Sequence, residues 1–147
     1  METNITMHFT IEEMYASDTA TRLGINNKPS TQQMINLVYL CAYVLEPLRV
    51  AMGKPINVSS GFRCPQLNKA VGGVYNSQHL KGQAADIDIQ GDMAFGRKIF
   101  EYIRDHLPFD QLIWEHNKGG TYWVHVSFVF PDFGKNRKQV IDNLLKK

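Results

Sequence analysis

The chain has 147 residues, of which 44% are hydrophobic and 20% charged, as in an ordinary globular protein. This length allows a substantial core, and we expect a single domain over residues 1–147. The formal net charge is only +2 and no run of five or more basic residues occurs, so the charge pattern predicts no nucleic-acid partner.

Neither targeting signals nor cysteine motifs stand out. The N-terminal stretch METNITMHFTIEEM is polar and acidic and lacks the apolar centre of a signal peptide. We find no run of the roughly 18 apolar residues that a membrane span needs, so we expect synthesis in the cytoplasm and no membrane insertion. Cys41 and Cys64 form no CxxC pair, and we expect no disulfide framework.

The N-terminal half predicts helices. The segment FTIEEM begins a short one, with a capping box at its start. A stronger helix begins at Ser30, which is spaced with Gln33 as a second capping box. Pro47 should kink or restart this helix, and Gly53 should end it. Its apolar positions form one stripe: Met34, Leu37, Val38, Cys41, Val44, Leu45 and Leu48.

The C-terminal half predicts a small sheet. INVSSGF is read as a short strand, and AADIDIQ alternates between apolar and polar positions. A helix follows from about Asp92, and DQLIWE and YWVHVSFVF are two strands joined by the turn HNKGGT. A last helix is expected to carry Val140, Ile141, Leu144 and Leu145. The predicted fold class is α+β, a small, mostly antiparallel sheet with helices packed on it.

Three potential metal ligands face away from the predicted core. In the strand 122–130 the apolar residues alternate, which places His125 on the opposite face. Asp86 likewise points away from its apolar strand neighbours, and His79 lies in the loop before it. A His, Asp, His set with a fourth position open is typical of a catalytic zinc, whereas a structural zinc usually has a closed shell rich in cysteine.

Two further charged residues are candidates for chemistry. Glu115 ends the strand before the turn to His125 and is the best-placed general base, while Arg63 could hold a carboxylate or an oxyanion through its planar fork. Each has an alternative interpretation: a solvated strand end for Glu115 and a surface ion pair for Arg63. His125 could equally be a hydrogen-bonded structural residue, and Asp86 could cap a turn.

The stretch SSGFRCPQLNKAVGGVYNSQHLKGQAADIDI resembles the signature of the zinc D-Ala-D-Ala carboxypeptidase and L,D-endopeptidase family, peptidase family M15. That pattern reads S-G-[YF]-R-[SC]-x3-N, then S-x-H-x2-G-x-A-x-D, then a late W-x-H. The matching residues are Ser60, Gly61, Phe62, Arg63, Asn68, Ser77, His79, Gly82, Ala84, Asp86, Trp123 and His125. The resemblance extends from about residue 9 to residue 130.

This resemblance implies a fold shared with the hedgehog signalling domain and a zinc peptidase acting on the D-amino-acid-containing stem peptide of peptidoglycan. It implies one zinc ion bound by His79, Asp86 and His125, with Glu115 as general base. Arg63, Ser77 and Trp123 would contact the substrate. The sequence departs from several branches of the family at Tyr122, where they carry an acidic residue, and at Trp123, where some carry a histidine.

Several functions remain open on the sequence alone. The enzyme could be a D-Ala-D-Ala carboxypeptidase, or an L-Ala-D-Glu endopeptidase acting as a phage or prophage lysin at the cell wall with a holin-type partner. It could also trim recycled muropeptides in the cytoplasm. The alternative class is a non-catalytic, zinc-stabilised binding module of the same fold, and a third option is a structural domain without metal.

Overall fold

The computed structural model describes residues 2–143, in which four helices and a five-stranded sheet occur. The helices are α1 (Asp18–Leu23), α2 (Thr31–Met52), α3 (Pro65–Ala70) and α4 (Met93–His106). The strands are β1 (Asn57–Ser60), β2 (Ala84–Asp88), β3 (Gln111–His116), β4 (Tyr122–Ser127) and β5 (Gln139–Asp142). Short 3-10 segments lie at Glu12–Met14, Gln78–Lys81 and Pro131–Phe133.

Helix α2 follows the sequence prediction closely. Ser30 and Gln33 form the expected capping box, in which each side chain accepts a hydrogen bond from the backbone amide of the other. A π-helical turn at Cys41–Leu45 precedes Pro47, the residue that cannot donate a backbone hydrogen bond. The helix ends at Gly53, as predicted.

Helix α2 also corrects one expectation. The run Thr31–Met52 is long and apolar enough to cross a membrane by length and composition, with a mean hydropathy of 1.4 in its most apolar window. The buried core helix of a globular protein passes the same test. Six α2 side chains are fully buried in this core: Leu37, Leu40, Cys41, Val44, Leu45 and Leu48.

The sheet is mixed, and not mostly antiparallel as predicted. Its strand order is β1-β2-β4-β3-β5, in which the first three pairings are antiparallel and β5 lies parallel to β3. The predicted last helix is wrong over Val140 and Ile141, because this segment is strand β5 at the edge of the sheet. Leu144 and Leu145 lie outside the described residues.

The two faces of the sheet differ in character, as the alternation predicted. One face is apolar and packs against α2 and α4 in a single hydrophobic cluster that contains Ile87, Trp114, Val124 and Val126. The other face carries the polar side chains of β2, β3 and β4. Strand β4 ends at Ser127, three residues earlier than expected, although the amide of Phe128 still donates to the carbonyl of Gln83 in the register of the β2–β4 pair.

Candidate metal centre

The three predicted metal ligands meet on the polar face of the sheet. Asp86 on β2 lies directly opposite His125 on β4, and His79 reaches them from the 3-10 segment that precedes β2. Each residue offers one ligand atom, and these atoms all lie within 4.8 Å of one another. The Nδ1 of His125 is 2.9 Å from Oδ1 of Asp86, and Nε2 of His79 is 3.4 Å from the same oxygen.

His79 is held in one orientation by the Gly61 carbonyl and the Ser77 hydroxyl. It is 3% exposed, its Nδ1–H donates to the carbonyl of Gly61 at 2.6 Å, and its amide donates to Oγ of Ser77. The next turn needs glycine: Gly82 has a φ of 74°, and a Cβ there would lie 2.5 Å from the carbonyl oxygen of Gln33. Because Nδ1 carries the donated proton, Nε2 keeps its lone pair free for a metal.

Asp86 is a buried carboxylate that remains ionised. Burial alone would raise its pKa, but the hydrogen bond with His125 and the closeness of the His79 ring outweigh burial and hold the pKa of Asp86 well below its usual range. Its second oxygen, Oδ2, accepts a hydrogen bond from Nη2 of Arg63 at 3.1 Å. Two imidazoles and one charged carboxylate form a donor set that suits zinc, so the residues present fit that metal.

Arg63 is fixed by three partners. Its Nε donates to Oγ of Ser60 at 2.9 Å, its Nη1 to Oδ1 of Asn68 at 3.1 Å, and its Nη2 to Asp86. Burial lowers the pKa of Arg63, and the charge of Asp86 opposes that shift. Asn68 in turn donates to the carbonyl of Val74 at 2.8 Å. In the sequence, Asn68 was recognised only as a position of the family motif. Its contact with Arg63 was not predicted, because it depends on how the following loop packs.

All seven residues predicted for the site line one open cleft of about 610 Å³: Arg63, Ser77, His79, Asp86, Glu115, Trp123 and His125. Glu115 lies on β3 opposite Trp123, while Ile113, two residues earlier, lies opposite His125. Glu115 is therefore the diagonal neighbour of His125 on the same face, a pairing that places Cα atoms roughly 7–8 Å apart. Its side chain is half-buried, and no hydrogen bond to it is described among residues 2–143.

The remaining histidines keep their ordinary interpretation. His8 pairs with Glu46, the ring of His106 lies against Tyr102, and that of His116 lies against Tyr122. Tyr122 itself points to the opposite face from His125, where its ring contacts the buried Trp114. The tyrosine that departs from the family pattern thus belongs to the core side of β4.

Comparison with known proteins agrees with the geometry. A family model described as Peptidase M15 matches residues 7–127. The chain belongs to the peptidase M15 family. The sequence-based assignment is therefore confirmed. Among curated proteins, the zinc D-Ala-D-Ala carboxypeptidase of Streptomyces albus G is 52% identical over 44 residues.

The match to that carboxypeptidase is short. It covers 29% of this chain and 17% of the length of the relative, so the chain aligns with only a small part of the relative. Together, the M15 membership and this relative support a zinc peptidase. The cluster of His79, Asp86 and His125 is consistent with zinc as its metal.

Proposed function

We propose that this M15 protein is a zinc-dependent peptidase that hydrolyses the D-amino-acid-containing stem peptide of peptidoglycan. The observation that carries the proposal is the placement of three ligand side chains in an open cleft, with the carboxylate of Glu115 on the neighbouring strand. Within residues 2–143, the side chain of Glu115 makes no hydrogen bond or ion pair. The cleft is large enough for several peptide residues, since ligand sites commonly have volumes of about 300–1,000 Å³.

His79, Asp86 and His125 would hold one zinc ion. When bound, zinc supplies a Lewis acid that polarises a carbonyl oxygen and makes water more acidic. The carbonyl of Gly61 then keeps His79 in the tautomer that ligation needs, and Arg63 keeps Asp86 in place through Oδ2. These supporting contacts exist already in the protein, so the ligands require little rearrangement.

Glu115 is proposed as the general base. Its carboxylate would take a proton from the attacking water and pass that proton to the leaving amine. Arg63 would contribute its two remaining N–H groups to a substrate carboxylate or to the oxyanion, because three of its five N–H groups are already donated to the protein. Ser77 and Trp123 would contact the peptide from the walls of the cleft.

The bond that is cut distinguishes two versions of this function. A D-Ala-D-Ala carboxypeptidase removes a terminal D-alanine, whereas an L-Ala-D-Glu endopeptidase cuts within the stem. The second version would suit a lysin that reaches the cell wall with a holin-type partner. The Streptomyces relative is a zinc D-Ala-D-Ala carboxypeptidase, which favours the first version.

Mass spectrometry of defined muropeptides incubated with zinc-loaded protein tests the proposal. We expect either loss of D-alanine or a cut between L-alanine and D-glutamate. The Glu115→Gln variant should keep its zinc and lose about 10²- to 10⁴-fold in rate, the usual contribution of a general base. Asp88→Asn is the matched control, since Asp88 is an exposed acid of the same face that accepts a hydrogen bond from the Gln90 amide.

A non-catalytic binding module is the second candidate, because Tyr122 stands where several family branches carry an acid, although its side chain lies on the core side of β4. Zinc content does not separate the two candidates, since both bind the metal. Binding of muropeptide without any cleavage would favour the module and overturn the peptidase. Full activity of Glu115→Gln would instead overturn the assignment of the base alone.

A further inference from the structure

The cleft continues into a second cavity that the proposed mechanism does not use. This cavity has a volume of about 330 Å³ and shares Gln78 and Arg137 with the first. Its charged lining consists of three basic residues, Lys81, Lys135 and Arg137, and the acidic residue Asp110. An extended substrate in the cleft would therefore meet a basic region at this end.

Arg137 is oriented by a buried carboxylate. Asp110 is 3% exposed and accepts hydrogen bonds from Nε of Arg137 at 3.2 Å and from Nη2 at 2.7 Å. It also accepts the backbone amide of Arg137 at 2.8 Å. Asp110 thus binds the edge of the guanidinium formed by Nε and Nη2. The other edge, formed by Nη1 and the second hydrogen of Nη2, does not contact Asp110 and is the edge called open below.

The loop that carries Arg137 is also anchored. Asn136 accepts the amide of Val129 at 2.9 Å and donates to its carbonyl at 2.8 Å, which ties the loop to the end of β4. The amide of Gln139 donates to the carbonyl of Asp110 just after the loop. A guanidinium held this way loses little conformational entropy when it binds a ligand.

We propose that Arg137, oriented by Asp110, binds a free carboxylate of the substrate peptide at a position remote from the cut bond. A carboxylate suits the open edge because its two oxygens match two parallel N–H groups, and Lys81 and Lys135 add positive charge around it. The inference rests on the proposed function for its choice of ligand. Arg137 lies beyond residues 7–127, the region matched by the family model, so the inference rests on the contacts of Arg137 and not on the family match.

Binding of stem peptides to zinc-loaded Glu115→Gln protein, measured by isothermal titration calorimetry, tests the inference without interference from hydrolysis. The probes are L-Ala-D-Glu-L-Lys-D-Ala-D-Ala and two analogues, one amidated at the D-Glu α-carboxylate and one at the C-terminus. We expect one amidation to weaken binding about tenfold, as the loss of a bidentate charged pair does. In the Arg137→Gln protein the same amidation should change the affinity by less than twofold.

Two controls separate the contact from general effects. Lys118→Gln removes the same charge from the exposed β3–β4 turn and should leave all three affinities unchanged. Arg137→Lys keeps the charge but loses the two parallel N–H groups of the guanidinium, so it should bind the parent peptide with intermediate affinity. This variant also takes the place of Arg137→Gln if Arg137→Gln does not fold. Equal weakening of all peptides by Arg137→Gln, or no weakening, would overturn the inference. If the zinc-loaded wild type cleaves none of the peptides while binding still depends on Arg137, the proposed peptidase function is refuted and the contact between Arg137 and a peptide carboxylate stands.

Discussion

Asp86 connects the metal ligands to the arginine of the cleft because its two oxygens have different partners. Oδ1 lies near both histidines, while Oδ2 accepts a hydrogen bond from Arg63. The carboxylate therefore stabilises a cluster that otherwise contains only basic groups. Loss of any one member leaves the others with fewer partners, and this dependence gives direct tests.

Replacing His125 by Ala should abolish tight zinc binding. The variant removes one of three protein ligands, and the two that remain, His79 and Asp86, do not complete a zinc site. Inductively coupled plasma mass spectrometry of the purified protein would measure the bound metal. His116→Ala, which removes an exposed histidine of the neighbouring strand, should retain the metal content of the wild type. Equal zinc content in the two variants would contradict the ligand assignment.

Gly73→Ala should reduce activity without removing zinc. A Cβ at Gly73 would lie 2.1 Å from Oδ1 of Asn68 and 2.9 Å from Nη1 of Arg63, so the pair must move apart. Because Arg63 is proposed to contact the substrate, we expect kcat/KM to fall roughly 10- to 100-fold, as a displacement of about 1 Å can cause. Steady-state kinetics alongside metal analysis would measure both quantities.

Gly119→Ala provides the control for this substitution. A Cβ at Gly119 meets only Oδ1 of Asn117, at an ordinary 3.4 Å, and the residue lies in the exposed β3–β4 turn. Its kinetics should match those of the wild type. If the kcat/KM of Gly73→Ala also matches that of the wild type, the contact between Asn68 and Arg63 does not position Arg63 for catalysis.

An ion pair between Arg137 and Asp110 helps to hold the loop between β4 and β5, which makes the stability of the protein dependent on pH. Burial would raise the pKa of Asp110, but hydrogen bonds and the charge of Arg137 outweigh burial and lower it. A carboxyl group with a lowered folded-state pKa stabilises the protein above its unfolded pKa of about 3.9. That contribution is lost as the pH falls through the folded-state pKa.

Asp110→Asn should therefore destabilise the protein by about 2 kcal/mol at pH 7, since it weakens a charge-assisted pair and several hydrogen bonds. The difference from the wild type should shrink below pH 4. Urea unfolding at pH 7 and at pH 3 would measure both free energies. Asp132→Asn, an exposed acid of the same loop, should change neither value by more than about 0.5 kcal/mol. A difference that grows as the pH falls would contradict the sign of the pKa shift.

Local signals in the sequence predicted some elements well and others not at all. The ends of α2 were predictable because Ser30, Gln33 and Gly53 each act on backbone groups close to them in the chain. Strand β5 was not, because the apolar pair Val140 and Ile141 is too short to distinguish a strand from a helix. Its conformation depends instead on pairing with β3, about 28 residues earlier in the chain.

The site shows the same division between local and distant information. Alternation along β2 and β4 placed Asp86 and His125 on the polar face, and the structure agrees through their direct pairing. Other contacts of the site come from different segments of the chain. The Gly61 carbonyl orients His79, and the side-chain oxygen Oδ1 of Asn68 accepts a hydrogen bond from Arg63. Such contacts depend on how loops pack and leave no periodic signal. Arg137 is a further case, since only the fold brings it to the cleft.

The metal ligands come from separate parts of the molecule, so metal binding should stabilise the whole fold. His79 lies on a 3-10 segment that leads into β2, Asp86 on β2 and His125 on β4. A ligand that binds only the folded state adds about 2.7 kcal/mol at a free concentration one hundred times its Kd. For a chain of 147 residues this corresponds to a rise in Tm of roughly 5–10 °C.

Removing the metal with a chelator should therefore lower the Tm of the wild type by that amount without unfolding the protein at room temperature. The apo cluster keeps its hydrogen bonds between Asp86, His125 and Arg63, and the hydrophobic core lies on the other face of the sheet. Differential scanning calorimetry with and without EDTA, followed by added zinc, would measure the change and its reversal. His125→Ala should show no response to either treatment, because it lacks the third ligand. If neither EDTA nor zinc changes the Tm of the wild type, His79, Asp86 and His125 form a structural hydrogen-bonded cluster and bind no metal.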